Sequence, residues 1–348
     1  MPSKLSRSAF VAGTSASAFF TVAPSARSAD LEPVTVGIAN SISDTVIFIA
    51  VEKGYFRDAG LAVTTTGYTS ASDMVAPLGT GQLDVGGGSA SAGLYNAVLR
   101  GIDLKIVADK ASSQPGYAVN SILVQKAHVD DKRVRGLKDL KGMKVAITGA
   151  GTSALSTLND ALKSAGVAYK DVEIVYMSFP DQVVALQNKA IDAAVTTEPS
   201  ATIVISRGYA VKIATDDKIY PGHDIAQLLY SQKFAQQRNA AAKRFLVAYL
   251  RGARFYNGAL RDGRFAGPNA DEVISIISTA TPIKDTALLR AITASGCDPN
   301  GRVNVASLEH DLQFYREQGL INGNISLAKV VDNSFAEAAL KQLGPYRR

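Results

Sequence analysis

The sequence predicts an α/β protein built as two similar halves with a cleft between them. The first observation is an internal echo: residues 77–86 read PLGTGQLDVG and residues 185–194 read ALQNKAIDAA. In each, a Leu (Leu78, Leu186) stands six positions before an Asp (Asp84, Asp192), and an apolar residue (Leu83, Ile191) precedes that Asp. Both copies follow an amphipathic helical stretch and run into small residues at a hydroxyl-bearing turn, Gly88-Ser89 and Thr196-Thr197-Glu198. The second observation is that short apolar runs alternate with helical spacing, which predicts parallel sheets built from βαβ units. The third is size and composition: 348 residues at 47% hydrophobic content suffice for two ordinary domains with real cores. Two α/β halves leave a crevice lined by turns and helix starts, a place to hold a small molecule.

The elements follow in order. Residues 34–39 form an apolar strand ending at the turn Asn40-Ser41, and 46–56 have helical spacing closed by Gly60. Residues 62–68 are β-branched and read as a strand. A helix over 70–78 is capped by Ser70 or Ser72 and ends at Gly79 and Gly81. A strand at 83–86, a helix at 89–100 and a strand at 104–109 complete the first series. A strand over 117–125 leaves that sheet, and 130–141 is a charged surface stretch. The second series has strands at 144–147, 172–177, 193–195 and 211–214, with helices at 152–165, 181–189 and 200–207. Residues 227–230 are a further strand returning to the first sheet. From Asn239 the chain is mainly helical, over 239–262, 271–280, 285–294, 307–318 and 333–343. The chain is expected to cross between halves near 111–117 and 215–225. This divides it into residues 30–113 with 218–348 as lobe 1, and 114–217 as lobe 2.

Composition excludes several classes. The formal charge is +6, but Lys4, Arg7 and Arg27 precede the first acid, so residues 30–348 carry only +3. That is no nucleic-acid surface, which needs clustered Lys and Arg; Lys132-Arg133-Val134-Arg135 follows Asp130-Asp131 and reads as a solvated loop. One cysteine, Cys297, permits no internal disulfide and no thiolate zinc cluster. His128, His223 and His310 lack ligand spacing, so no metal and no cofactor is expected. Lys4 and Arg7 followed by small and apolar residues from Ala9 to Ala23 compose a cleaved export signal over residues 1–29. Cleavage between residues 24 and 30 is expected, without a lipid anchor because no cysteine lies there. No later stretch has the roughly 18 consecutive apolar residues of a membrane span.

Candidate ligand contacts come from the turns and helix starts. A helix start offers backbone N–H groups without intrahelical partners and the positive end of the helix dipole, and small polar residues let an oxygen-bearing ligand approach closely. The candidates are Asn40 and Ser41 after the first strand, Ser70, Ser89-Ala90-Ser91, and Gly151-Thr152-Ser153. The same hydroxyls would serve an ordinary N-cap equally well. Tyr68, Gln114, Tyr117 and Phe179 are candidate walls. Gly86-Gly87-Gly88 lacks the Gly-Lys-Ser/Thr of a phosphate loop; its glycines are read as allowing close backbone approach and a sharp turn. Gly149-Ala150-Gly151 lacks the third glycine of a dinucleotide fingerprint.

Several segments together resemble one known family. Ala50-Val51-Glu52-Lys53-Gly54-Tyr55-Phe56, Gly60-Leu61 and Leu78-Gly79-Thr80-Gly81-Gln82-Leu83-Asp84-Val85 are similar to the first lobe of solute-binding proteins of nitrate, sulfonate and taurine ABC importers. That group includes bacterial relatives of thiamine-pyrimidine synthases. Residues 136–145 resemble the opening of its second lobe, 185–199 a second-lobe segment, and Phe314 to Leu320 with Val331-Asp332 its C-terminal helices. The resemblance spans about 34–345. It implies a two-lobed type II periplasmic-binding-protein fold with a ligand cleft between lobes and a helical C-terminal region. It also implies Glu198, before Pro199, as a carboxylate at the cleft; the alternative is a surface Glu held extended by the proline.

The leading functional expectation is therefore a periplasmic, monomeric binding protein, not an enzyme. It would deliver a small anionic or heterocyclic solute to a membrane permease and its ATPase, with no nucleic-acid partner. A thiamine-pyrimidine-synthase-like enzyme is the rival, but it uses a donor histidine and a cysteine-rich iron motif, and this chain has no histidine near the first-lobe turns and one cysteine. A ligand sensor without a transport role is a third possibility.

Overall fold

The computed structural model describes residues 31–347; the export-signal reading falls on residues outside that range. Ten strands make two five-stranded sheets. In chain order they are β1 (Glu32–Ile38), β2 (Leu61–Gly67), β3 (Val85–Gly88), β4 (Lys105–Ser112), β5 (Asn120–Gln125), β6 (Lys144–Ile147), β7 (Glu173–Tyr176), β8 (Ala193–Thr197), β9 (Ala210–Thr215) and β10 (Asp224–Tyr230). The sheet orders are β2-β1-β3-β10-β4 and β7-β6-β8-β5-β9. The chain leaves the first sheet after Ser112 and re-enters it at Asp224. Neither sheet is fully parallel. β10 runs antiparallel to β3 and β4, and β5 antiparallel to β8 and β9, because each is the strand that has just crossed over.

The sequence echo marks equivalent positions in the two sheets. Asp84 N donates to Thr35 O at 3.1 Å, and Thr35 N donates to Asp84 Oδ2 at 3.0 Å. Asp192 N donates to Lys144 O at 2.9 Å, and Lys144 N donates to Asp192 Oδ2 at 2.9 Å. Each aspartate, at the residue before β3 or β8, thus closes a two-bond ring on the parallel neighbour of that strand, β1 or β6. The outer oxygens take Arg238 Nη1 at 2.8 Å and His128 Nε2 at 2.7 Å. The echo is architecture, and it places the following segments, Gly88-Ser89 and Thr196-Thr197, at corresponding strand ends.

Gly86 to Gly88 lie inside β3 with extended backbone, not in a sharp turn. Close approach is what they supply: a Cβ on Gly87 would sit 2.8 Å from Lys110 Cε and 3.1 Å from Gly37 O. The C-terminal helices pack on the first sheet. The helix Asn239–Gly258 buries Ala242, Phe245, Leu246, Tyr249, Ala253 and Tyr256 along one face. Phe245 stacks on Phe56 at 4.7 Å and meets Tyr230 edge-on. This helix stops four residues short of the sequence expectation. Asp262 and Gly263 both take positive φ and turn a hairpin between Leu260–Arg261 and Arg264–Phe265, a turn that Asp-Gly favours.

Buried acids sit where the chain passes between sheets. Asp216 accepts from Asn120 N at 2.7 Å and Val119 N at 3.1 Å. Burial pushes its carboxyl up to about 7, against the lowering effect of those N–H groups. Burial also raises Asp224, to about 6. For His223 burial alone would lower the pKa, but the Asp311 carboxylate at 2.9 Å outweighs it and the net shift is upward. All three groups hold protons more tightly folded than unfolded. Their contribution to stability is full below the unfolded pKa of each; that of Asp224 and Asp216 is lost as pH rises through about 6 and 7, and that of His223 as pH rises past its raised imidazole pKa. Carboxylates shifted down, such as Asp192 and Glu32, act only below about pH 4 and leave this window unaffected. The melting temperature should therefore be higher at pH 5.5 than at pH 8, and Asp216→Asn should shrink the difference. Equal melting temperatures at the two pH values in the wild-type protein would refute this assignment.

Candidate functional site

Both sheets turn the carboxyl ends of their parallel strands toward one cavity of about 60 Å³, the crevice position typical of α/β ligand sites. Its wall is built in corresponding pieces. From the first sheet come Ser41 and Ser43 after β1, Thr69 and Ser70 after β2, and Gly87, Gly88 and Ser89 at the end of β3. From the second come Thr148, Thr152 and Ser153 after β6, Phe179 after β7, and Thr197 at the end of β8. The crossing strands add Asn120, Ile225 and Ala226. None of the lining residues is charged.

The hydroxyls divide into occupied and available. Thr152 Oγ1 donates to Gly149 O at 3.0 Å, and Ser153 Oγ donates to Ile225 O at 2.8 Å. Their hydroxyl protons are therefore engaged, and their offer to a ligand is the N-terminal turn of the helix Ser153–Ser164. Ser70 Oγ donates to Asp73 Oδ2 at 3.1 Å. Thr197 is 2% exposed and its Oγ1 has no hydrogen-bond partner among the described residues. A buried hydroxyl without a partner costs about 1–3 kcal/mol, so this group at the cavity wall is available for a hydrogen bond. Ser89 and Thr148 likewise make no side-chain hydrogen bond among the described residues.

Of the sequence-derived candidates, the structure brings Ser41, Ser70, Ser89, Thr152, Ser153 and Phe179 to the wall. The others lie off it. Asn40 takes a left-handed turn, φ 55°, that leaves it exposed, and Tyr68 packs against the apolar cluster behind. Ala90 N is taken by Gln227 Oε1 at 2.8 Å, and Ser91 is the N-cap of the helix Ala92–Leu99, accepting from Leu94 N. Gln114 lies in a separate cavity with Asp109 and Asp298. Gly151 faces Ala92 across the cleft instead of the cavity. Glu198 is 3% exposed, and its carboxylate accepts from Thr202 N at 3.0 Å and Thr293 N at 3.4 Å. The residue stands at the cleft edge, where its backbone carbonyl accepts from Ile42 N, but its carboxylate is spent on its own helix and a C-terminal loop and not turned to the cavity. Ser43, Asn120, Thr148 and Thr197 were missed. Thr197 was legible, since it occupies the echo position of the Ser89 turn.

The halves are joined across the cleft by direct bonds. Ala92 N donates to Gly151 O at 2.8 Å, Ser72 Oγ to Ala150 O at 3.1 Å, and Ile42 N to Glu198 O at 2.9 Å. This contact is tight: a Cβ on Gly151 would lie 2.4 Å from Ala92 Cβ, and one on Gly149 would lie 2.8 Å from Ser70 Oγ.

Comparison with known proteins agrees with this geometry. The family model described as NMT1/THI5 like matches residues 42–257. The chain belongs to the NMT1/THI5-like family. Among its relatives, a Brucella abortus protein whose name gives it binding and no ligand is 29% identical over 241 residues, 69% of this chain and 71% of its own. A Brachyspira hyodysenteriae protein, named for the periplasmic binding component of an ABC transporter, is 28% identical over 233 residues, 65% of this chain and 66% of its own. Solved structures give this NMT1/THI5-like chain its fold. The nitrate-binding protein NrtA of Synechocystis PCC 6803 superposes with a TM-score of 0.72 at 15% identity, over 90% of each chain. The alkanesulfonate-binding protein SsuA of Xanthomonas axonopodis pv. citri, bound to MOPS, gives 0.67 at 17% identity, over 86% of this chain and 98% of its own. The desulfurization enzyme DSZB gives 0.60 at 16% identity, over 90% of this chain and 99% of its own. The fold is the two-lobed periplasmic-binding-protein type, with the cavity between lobes.

Proposed function

We propose that this protein is the substrate-binding component of an ABC importer and captures a small monoanionic solute, or a neutral heterocycle of similar size, by closing its lobes. The observation that carries this reading is the wall itself. It presents hydroxyls from both halves, the N-terminal turn of the helix Ser153–Ser164, and no charged side chain. Neutral donors suit a monoanion, whereas a dianion calls for an Arg fork. Relatives and structural neighbours named for periplasmic, nitrate or alkanesulfonate binding support the same reading. In it, lobe 1 is residues 30–113 with 218–348 and lobe 2 is 114–217. The chain is exported with its leader removed between residues 24 and 30, and N-terminal sequencing of exported protein checks this. It works as a monomer beside a permease and its ATPase, without nucleic acid.

The protein binds and does not catalyse. Cys297 is buried against Tyr249, away from the cavity, and burial pushes its thiol up, so no thiolate nucleophile faces the ligand. The histidines each pair with an aspartate off the wall, and among the described residues no group of His, Cys, Asp and Glu is placed to hold a metal. The DSZB likeness extends to the fold alone.

A thermal-shift screen of nitrate, methanesulfonate, acetate and thymine tests the reading. A ligand at 100 times its dissociation constant adds about 2.7 kcal/mol, and each kcal/mol moves the melting temperature by roughly 2–4 °C at about this chain length. The right class should raise it by several degrees. No rise from any compound, with no small molecule released from unrefolded protein in mass spectrometry, would sink it.

A further inference from the structure

A lysine with no exposed surface lies directly behind the cavity. Lys110, on β4, has 0% side-chain exposure and places Nζ 2.8 Å from Asp44 Oδ1 and 2.6 Å from Ser43 Oγ. Ser43 Oγ in turn is 2.7 Å from Ser41 Oγ, and both serines line the cavity. The backbone N–H of Ser41 donates to Asp44 Oδ2 at 2.9 Å, which fixes the serine turn to the same carboxylate. The lysine reaches this point only because β3 carries Gly87, where a Cβ would stand 2.8 Å from Lys110 Cε. Burying a paired charge is costly, and apolar residues of similar volume commonly serve stability as well or better. Packing alone therefore does not account for it.

We infer that Lys110 is a positioning residue that sets the polarity of the Ser43–Ser41 pair, so that this end of the cavity presents a hydroxyl donor and selects a ligand bearing an anionic oxygen. The inference rests on the binding reading above and narrows its ligand class. An ammonium has three donors and no acceptor, so Ser43 Oγ must accept from Lys110. One hydroxyl proton is used between the serines, and the other is left for the cavity. Each donor in such a chain is strengthened by the donor behind it. Asp44 neutralises the lysine, so the wall gains a directed donor without a net charge. A ligand group that must itself donate, such as an amide N–H₂, is disfavoured at this place.

The test compares isosteres that differ in that property: methanesulfonate against methanesulfonamide, and acetate against acetamide, by calorimetry on the full chain. Wild type should prefer the oxyanion of each pair that binds. Ser43→Ala keeps the Lys110–Asp44 pair and cuts the link to Ser41. The double variant Lys110→Met/Asp44→Asn removes both charges and keeps both serines. Each should narrow the preference by about tenfold, while Ser43→Thr, which restores the hydroxyl, should keep it. An unchanged preference in Ser43→Ala, or in a folded double variant, would overturn the role of Lys110 and leave the binding reading standing. A wild-type preference for the amide or sulfonamide would overturn it as well. If wild type binds none of these compounds, nor nitrate or thymine, and unrefolded protein releases no small molecule in mass spectrometry, the binding reading itself fails and this inference with it.

Discussion

Thr197→Val combined with Ser89→Ala should weaken ligand capture severely without lowering the stability of the unliganded protein. The two hydroxyls stand at corresponding strand ends in opposite halves, and neither has a side-chain partner among the described residues. Each hydrogen bond to a charged group contributes about 1.5–3 kcal/mol. Losing two weakens binding of the identified anion by about 100-fold or more, at 1.4 kcal/mol per tenfold. Valine keeps the methyl contacts of Thr197 and removes a buried hydroxyl without a partner. The melting temperature of the empty protein therefore holds or rises. The check is calorimetry of binding beside thermal melts of the empty variants. Unchanged affinity would place the ligand elsewhere; lost affinity together with a large fall in stability would make these residues structural.

Gly149→Val acts on closure instead of contact. A Cβ there would meet Ser70 Oγ at 2.8 Å and Ser70 Cβ at 3.0 Å, atoms of the opposite half. Gly149 has no positive φ, so the substitution brings no backbone strain of its own. Overpacking typically costs about 1–3 kcal/mol, which here falls on the closed form alone. Affinity should drop by roughly 5- to 150-fold, mainly through faster dissociation, while the open form keeps its stability. Stopped-flow release of bound ligand measures this. A variant that binds and releases like the wild type would show that the halves need not meet at Gly149.

Much of this was legible from residue order. The two-lobed α/β plan came from the echo, and the echo proved to be a real structural equivalence, with Asp84 and Asp192 making the same pair of bonds to Thr35 and Lys144. Strand direction was less legible. Apolar content shows that β5 and β10 are buried strands, but only the crossing topology makes them antiparallel. Site residues fell between these cases. Turn chemistry located Ser41, Ser70, Ser89 and Thr152, since a small hydroxyl residue after a strand is visible in one dimension. Whether the hydroxyl proton is free depends on partners far along the chain, such as Ile225 O for Ser153, and no local pattern encodes that. Lys110 was invisible for the same reason: it falls one residue past the strand expected at 104–109, and its meaning comes from Ser43, 67 residues away.

The position of β10 also fixes an order of assembly. The second sheet uses residues 120–215 only, and every strand it needs is present once β9 has been made. The first sheet begins at residue 32 but has a gap between β3 and β4 until β10 arrives, nearly 200 residues later. A chain emerging from its amino end can complete its middle before its beginning. The amino-terminal strands keep one edge unpaired from the end of β3 at Gly88 until β10 begins at Asp224.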